Sequence, residues 1–415
     1  MRQSKLFLKT AKKPPAEDLV PSHGLLLRGD FISQLSSGLY SFLPLGLRVH
    51  RKIEKIIREE LNKIGSQEVF LPALQPKELW LKSSRWDNMD PPLFKLKDRH
   101  KKEFALGSTH EEVISDLART RIESYKDLPL ALYQIQTKFR NEMRFTGGIL
   151  RAREFVMKDL YSFHKDRKGL DSFFQKVLSA YDKIFNRCGT PALKSEACGG
   201  VFTQEKNYEF QVVSESGEDK IIFCPKCKWA TNLEVAEVKE GQKCPHCSGK
   251  LKSAKSIEVG HTFKLGDKYS KPLDVYFSDK DAKKKPVLMG CYGIGVGRLM
   301  ATIVECNYDK NGIIWPSEVS PFDVHLVLLG AGSSTREKAE KLYQDLQEAG
   351  IEVLYDDREE KSSGEKLVES DLIGIPVRTI VSEKSIKKGS FEVAKRGEKG
   401  KLVKFNKILE YLKSC

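Results

Sequence analysis

Apolar residues first recur at helical spacing in residues 49–64, where Val49, Ile53, Ile56, Ile57, Leu61 and Ile64 share one stripe. Arg, Lys and Glu lie opposite, which predicts an amphipathic helix ended by Gly65. Residues 68–74 read as a strand interrupted by Pro72, and proline suits an edge or a bent strand. Residues 133–140 and 154–161 read as two strands around a turn carrying Gly147 and Gly148, and 170–186 as a second helix. Residues 239–255 are polar and rich in lysine, whereas 286–304 join a short apolar strand to a glycine-rich turn and an apolar helix.

From Phe322 the pattern changes to alternation. Residues 323–329, 351–355 and 377–381 read as strands, 335–348 and 365–373 as helices, and a short strand and a helix at 406–412 close the chain. Strand–helix alternation over this length implies a small α/β module. Its last stretch, from Lys384, holds ten Lys or Arg against three Glu. The expected architecture is a long α+β part, a small cysteine knuckle and a C-terminal α/β module.

Composition narrows the class. The chain has 415 residues, 40% hydrophobic and 31% charged, enough for two or three domains with sizeable cores. No apolar run reaches the roughly 20 residues a membrane helix needs, and the first fifteen residues lack an apolar signal core, so a cytoplasmic protein is expected. The net charge of +14 suggests a polyanionic partner such as nucleic acid.

Nine cysteines include Cys224, Cys227, Cys244 and Cys247, two C-x2-C pairs separated by sixteen residues. That spacing fits a tetrahedral thiolate zinc site, because each pair can turn two sulfurs toward one ion. Two disulfides or four free thiols are the alternative.

The arginines carry the other chemistry. Arg140, followed by Glu142, leads into the turn, and Arg151 and Phe155 return from it. A planar guanidinium can hold a carboxylate and a phosphate together, a nearby carboxylate can help hold magnesium, and an aromatic ring can stack on a purine. Gly293-Ile-Gly295-Val-Gly297-Arg298 opens the apolar helix; closely set glycines admit a nucleotide, and the arginine can reach a terminal phosphate. Neither a dinucleotide fingerprint nor a Walker A sequence is present.

A helix with a proline-bearing strand, then an Arg-x-Glu hairpin, then Gly-x-Gly-x-Gly-Arg resemble, in that order, the three motifs of class II aminoacyl-tRNA synthetases. In detail, Ser36–Gly46, Thr109-His-Glu-Glu112, Tyr133–Arg140, Met157–His164, Ile257–His261 and Met289–Gly295 resemble the bacterial type of prolyl-tRNA synthetase. Asp356-Asp-Arg358 and Leu372–Pro376 are similar to that family's anticodon-binding module.

The resemblance implies a class II α+β catalytic domain on an antiparallel sheet over 1–220 and 253–320. It also implies a four-cysteine, zinc-ribbon-like insertion at 221–252 and an anticodon-binding α/β domain at 322–415. It implies that ATP with Mg2+ activates L-proline and that tRNA(Pro) accepts it, in a homodimer in which helix 49–64 takes part. Thr109 and Glu111 would fix the imino nitrogen, and Arg140 would clamp the proline carboxylate against the α-phosphate. Asp159, Tyr161, His164 and His261 would line or support the proline pocket, with Cys291 beside it. Glu142, Arg151, Phe155, Gly293, Gly295 and Arg298 would hold ATP. Arg144, Asp357 and Arg358, with the 384–413 surface, would meet tRNA.

Departures from the family pattern are informative. The turn after Arg144 lacks the usual proline and second arginine, and Asn207-Tyr208 replaces a Ser-His pair. Between 237 and 257 only about twenty residues stand where bacterial relatives usually carry a large editing domain. Without it, no hydrolysis of alanyl-tRNA(Pro) by the chain itself is expected. Two rival functions are an adenylating enzyme that passes proline to a non-tRNA acceptor and a non-catalytic zinc-ribbon protein that binds nucleic acid.

Overall fold

The two strands expected around the glycine turn are longer than their apolar runs. They extend over Leu130–Phe139 and Glu154–His164 and pair antiparallel along their whole length, with Gln134 opposite Asp159 and Leu132 opposite Tyr161. They lie in a computed structural model that describes residues 1–13, 19–145, 147–198 and 207–414. The chain divides into two units: Leu35–Tyr40 with Glu54–Thr302, and Met1–Gln34 with Ser41–Ile53 and Ile303–Cys415. This grouping puts the first 34 residues with the C-terminal module, whereas the sequence pattern runs them on with the long α+β part.

In the larger unit, nine strands form one sheet. In chain order they are β1 (Gln67–Glu68), β2 (Leu130–Phe139), β3 (Glu154–His164), β4 (Leu193–Ala197), β5 (Asn207–Val213), β6 (Asp219–Phe223), β7 (Ala230–Asn232), β8 (Lys252–Gly266) and β9 (Leu288–Gly295). They are ordered β5-β4-β7-β6-β8-β9-β3-β2-β1, with a further β5–β8 pairing. All pairs are antiparallel except β1–β2 and β4–β7.

Four helices need labels: α1 (Pro44–Lys63), α2 (Glu111–Arg119), α3 (Arg167–Arg187) and α4 (Val296–Cys306). The expected stripe of α1 is real, with Val49, Ile53, Ile56, Ile57 and Leu61 buried within the chain. α3 begins at Asp166, whose carboxylate accepts from the Gly169 amide at 2.8 Å. It lays Leu170, Phe173, Phe174, Val177, Tyr181 and Ile184 against β3, β8 and β9. Each such side chain gains about 1.5–3 kcal/mol by leaving water.

The strand expected at 68–74 is a correction. Only Gln67–Glu68 joins this sheet, and pairing resumes at Leu74–Pro76 in a separate three-stranded sheet. Pro72 lies between them and has no amide to donate to a ladder.

The smaller unit carries β10 (Val324–Leu329), β11 (Val353–Asp356), β12 (Val377–Ser382), β13 (Ser390–Lys395) and β14 (Lys401–Lys404), ordered β11-β10-β12-β13-β14. The first three are parallel and the last two antiparallel, so two strands stand where one was expected. Helices α5 (Ser333–Glu348), α6 (Ser363–Ile373) and α7 (Ile408–Lys413) accompany them. Ser362 and Glu365 form a reciprocal cap at the start of α6, and Gly374 ends it at φ +79°. A Cβ at Gly374 would also meet the Ile313 carbonyl at 2.1 Å, so both conformation and space require glycine. Among the described residues, no helix is long and apolar enough to cross a membrane.

Candidate active site

The strand β2 inverts the usual rule. In its second half the even positions Gln134, Gln136 and Lys138, continued by Arg140 just beyond its end, are polar, yet the first three are buried. Burying polar groups is costly unless they are paired, so such a row marks a built polar interior. Gln134 donates to Asp159 Oδ2 at 2.9 Å, and Lys138 Nζ lies 2.8 Å from Asp159 Oδ1. Gln136 donates to the Leu71 carbonyl at 2.9 Å. Burial lowers the Lys138 pKa, against the pull of Asp159.

A second cluster forms where α2 begins. Thr109 Oγ1 donates to Glu111 Oε2 at 2.6 Å, and Tyr161 Oη lies 3.4 Å from Thr109 Oγ1 and accepts from the His110 amide at 3.1 Å. The Cys291 thiol donates to Glu111 Oε1 at 3.2 Å. Burial works to raise the Glu111 pKa, but Arg85, Thr109 and Cys291 together hold it below the ordinary glutamate value. Burial and then Glu111 push the Cys291 thiol well above its usual range. The register explains the assembly: Cys291 stands opposite Tyr161 and Phe263, one row away from Asp159, Gly293 and His261.

At the open end of β2, Arg140 sits 5.4 Å from the Phe155 ring centre with its Nε unpartnered. Among the described residues no carboxylate forms an ion pair with it. Burial lowers its pKa, and the nearby Arg298 adds to the effect. Arg298, near the start of α4, donates to the carbonyls of Leu150 at 2.9 Å and Glu258 at 3.3 Å. Two cations thus converge, and among the described residues only Glu258, 3.9 Å from Arg298 Nη1, pairs with either, which suits a polyanionic ligand. Glu142 is held by Arg151 at 2.9 and 3.1 Å, and Arg151 also reaches Glu218 at 2.7 Å.

His261 stacks on Phe263 with centroids 3.8 Å apart, and its Nδ1 lies 3.5 Å from Glu209 and 3.8 Å from Glu258. Burial, then Glu258, pushes the Glu209 carboxyl up to about 7. These three groups bring ligand atoms within 4.8 Å of one another.

Some expected residues lie elsewhere. His164 is on the opposite face of β3 from Asp159 and Tyr161, packed on Phe173 of α3 at 5.5 Å. Side chains alternate along a strand, so a residue three positions beyond Tyr161 must point away from the pocket. Its pKa is lowered to about 4 by burial, as for a core histidine. The glycine-rich turn is also a correction: Gly293 and Gly295 belong to β9, which runs straight into α4. A Cβ on Gly293 would meet nothing closer than Met157 Sδ at 3.7 Å, so packing leaves that backbone approachable.

In the smaller unit, Arg358 binds Asp356 and Glu369 at 2.7–2.8 Å, while Asp357 accepts from the Ser4 amide and hydroxyl at 3.0 and 2.9 Å. Both side chains are committed internally. Arg144 is exposed, as are Lys384, Lys387, Lys388, Lys401 and Lys404. Of the altered block 197–210, residues 199–206 lie outside the described ones.

The four paired cysteines come together. Sulfur–sulfur distances are 3.5 Å for Cys224–Cys247 and 3.6 Å for Cys227–Cys244, and all four lie within 4.8 Å of one another. They are not joined as disulfides. A tetrahedral Zn–S length of about 2.3 Å gives sulfurs about 3.8 Å apart, so the donor set fits that ion. The amides of His246 and Gly249 point at Cys244 and Cys247 sulfurs. The knuckle is no free module, because its flanking strands β6 and β7 belong to the large sheet.

Arg85, Gln134, Lys138, Glu209 and Glu258 complete these clusters and were not expected. The polar alternation of β2 could have revealed two of them. Nothing around Arg85 in the sequence signals its role.

Residues 94–307 match the tRNA synthetase class II core domain of the G, H, P, S and T type, and 323–414 match the anticodon binding domain. The chain is 36% identical to a proline–tRNA ligase of Halothermothrix orenii, covering 96% of each chain. It is 34% identical to the proline–tRNA ligase of Dehalococcoides mccartyi strain 195, covering 100% and 99%. Among solved structures it is similar to Giardia lamblia prolyl-tRNA synthetase in complex with prolyl-adenylate. There the TM-score is 0.78 at 20% identity, over 93% of this chain and 74% of that one. A Cryptosporidium parvum prolyl-tRNA synthetase complexed with halofuginone and AMPPNP gives 0.79 at 17%, over 97% and 80%.

Proposed function

We infer the work of each residue from one premise: the chain belongs to the proline–tRNA ligase family, and it activates proline with ATP and charges tRNA with it. The observation that carries the residue assignment is Arg140, a half-buried arginine that forms no ion pair among the described residues and lies near a second arginine. It would bind the proline carboxylate and the α-phosphate together. Thr109 and Glu111 would receive the protonated ring nitrogen, with Tyr161 supporting Thr109. Phe155 would stack on adenine, Arg298 would hold the outer phosphates, and Gly293 and Gly295 would let backbone approach.

The chemistry then asks little of side-chain acids and bases. A proline carboxylate oxygen attacks the α-phosphorus, pyrophosphate leaves, and prolyl-adenylate forms. A terminal ribose hydroxyl of tRNA next attacks the acyl carbon, its proton is lost and AMP departs. Alignment and charge neutralisation do the catalysis. Magnesium arriving with ATP would screen the phosphates; the Glu209 and Glu258 carboxylates, which with a His261 ring nitrogen place ligand atoms within 4.8 Å of one another, would supply oxygens to it. Asp159 supports the pocket by fixing Gln134 and Lys138 instead of touching substrate.

The four cysteines would hold one structural zinc. Exposed lysines of the 384–413 surface, with Arg144, would meet tRNA. Exposed Phe70 and Leu74 are apolar surface that a second copy in a homodimer would cover. A cytoplasmic location accords with a role in translation.

Pyrophosphate exchange with each of the twenty amino acids tests the function directly. Exchange is expected with proline, and exchange driven by another amino acid without proline would contradict it. Accuracy gives a further expectation. The alignment with the H. orenii protein runs over 545 positions, although this chain has 415 residues, so the relative carries a segment that this chain lacks. Alanine fits any pocket that accepts proline, and lost methylenes discriminate only about 10–200-fold. Preformed alanyl-tRNA(Pro) should therefore lose alanine no faster with the purified protein than without it.

A further inference from the structure

Arg85 occupies an unusual position for a residue outside every recognised motif. Its Nη1 lies 3.1 Å from Glu111 Oε2, and 3.0 and 3.3 Å from the two oxygens of Glu112. Both carboxylates are fully buried, and Arg85 itself is 8% exposed. Its guanidinium carbon is 5.3 Å from the ring centres of Trp80 and Tyr269, which keep water away. Ser83 donates to Glu112 at 2.6 Å, giving Glu112 a second hydrogen-bond partner.

Among the described residues, Arg85 is the one cation within 4.0 Å of Glu111. Glu111 therefore depends on it for remaining an anion in a dry setting, since an uncompensated buried carboxylate takes up a proton instead. Glu111 keeps its other oxygen for the Cys291 thiol, so its geometry is fixed from two sides. An anion fixed in this way discriminates by charge. A ring nitrogen carrying a proton gains a charge-assisted contact, and an uncharged ring atom of the same shape gains none.

We propose that Arg85 is a positioning residue that sets substrate specificity, fixing Glu111 as the anion that selects a cationic ring nitrogen. The inference rests on the reading of Glu111 as the nitrogen's partner. A purely structural Arg85 would pin the segment around residue 85 to α2 and affect all ligands alike.

The probe that separates these roles is tetrahydrofuran-2-carboxylate, which replaces the proline ring nitrogen by oxygen. Competition in pyrophosphate exchange gives its inhibition constant beside the KM for proline and ATP. In R85Q, which keeps hydrogen-bond donors but loses the charge, the proline KM is expected to rise roughly 10- to 100-fold, the size of a lost charged hydrogen bond. The ATP KM and the inhibition constant of the oxygen analogue should stay within about threefold, on the same argument that neither contact involves Glu111. R85M serves the same comparison where R85Q does not fold.

If the folded variant weakens proline and the analogue equally, or neither, the inference is overturned. If the parent enzyme itself fails to prefer proline over the analogue, the reading of Glu111 falls first, and Arg85 with it.

Discussion

Arg140→Ala is expected to lower proline-dependent pyrophosphate exchange by roughly 10²–10³-fold, the cost of removing one preorganised charge partner from a transition state. The thermal midpoint should hold steady or rise. A half-buried arginine with no ion pair among the described residues is held against its own desolvation and against Arg298, so truncating it removes a cost of the empty fold. Arg140→Lys should lose nearly as much activity, because a single ammonium cannot bridge carboxylate and phosphate as a planar fork does. Exchange within about tenfold of the parent in both variants, or unfolding of both, would remove Arg140 from the centre of the mechanism.

The second large effect concerns the cysteines. Purified protein is expected to carry one zinc per chain, and Cys244→Ser to carry almost none. Structural zinc binding contributes roughly 10–16 kcal/mol in isolated peptides, where it organises the whole fold. Here Ile222, Cys224, Cys244 and Leu251 form a small core of their own, with Trp229 packed against it. A core of that size is expected to need an ion to hold it, whereas β6 and β7 are anchored in the large sheet. Metal loss should therefore open residues 224–229 and 233–251 to proteases while proline-dependent exchange falls much less. Metal analysis and limited proteolysis check both halves, and a metal-free protein that resists cleavage there would sink the zinc reading.

How much of this was readable beforehand depends on which physical signal each part leaves. Helical stripes survive in sequence because a 3.6-residue period is hard to hide; α1 and α3 differ from expectation mainly at their ends. The 15-residue strand β8 went unseen because Lys252, Lys255 and Lys264 dilute its apolar alternation, and its first residues are solvent-facing. The face of His164 was legible from strand alternation alone, yet the family likeness of its block pointed the other way. Arg85 was not legible. Its partners Glu111 and Glu112 lie more than twenty residues away, and only folding brings them within reach. Glu209 and Glu258 stand on paired strands, a fact of register and not of motif.

Burial and the hydrogen bond to Glu111 favour the protonated form of the Cys291 sulfur. A thiolate within reach of an acyl-adenylate would take the acyl group and trap it as a thioester, and only the deprotonated form reacts this way. With its proton lent to Glu111 and its surroundings dry, that sulfur stays inert. On the proposed reading of Glu111, the carboxylate that receives the ring nitrogen would also keep this thiol from attacking the activated intermediate.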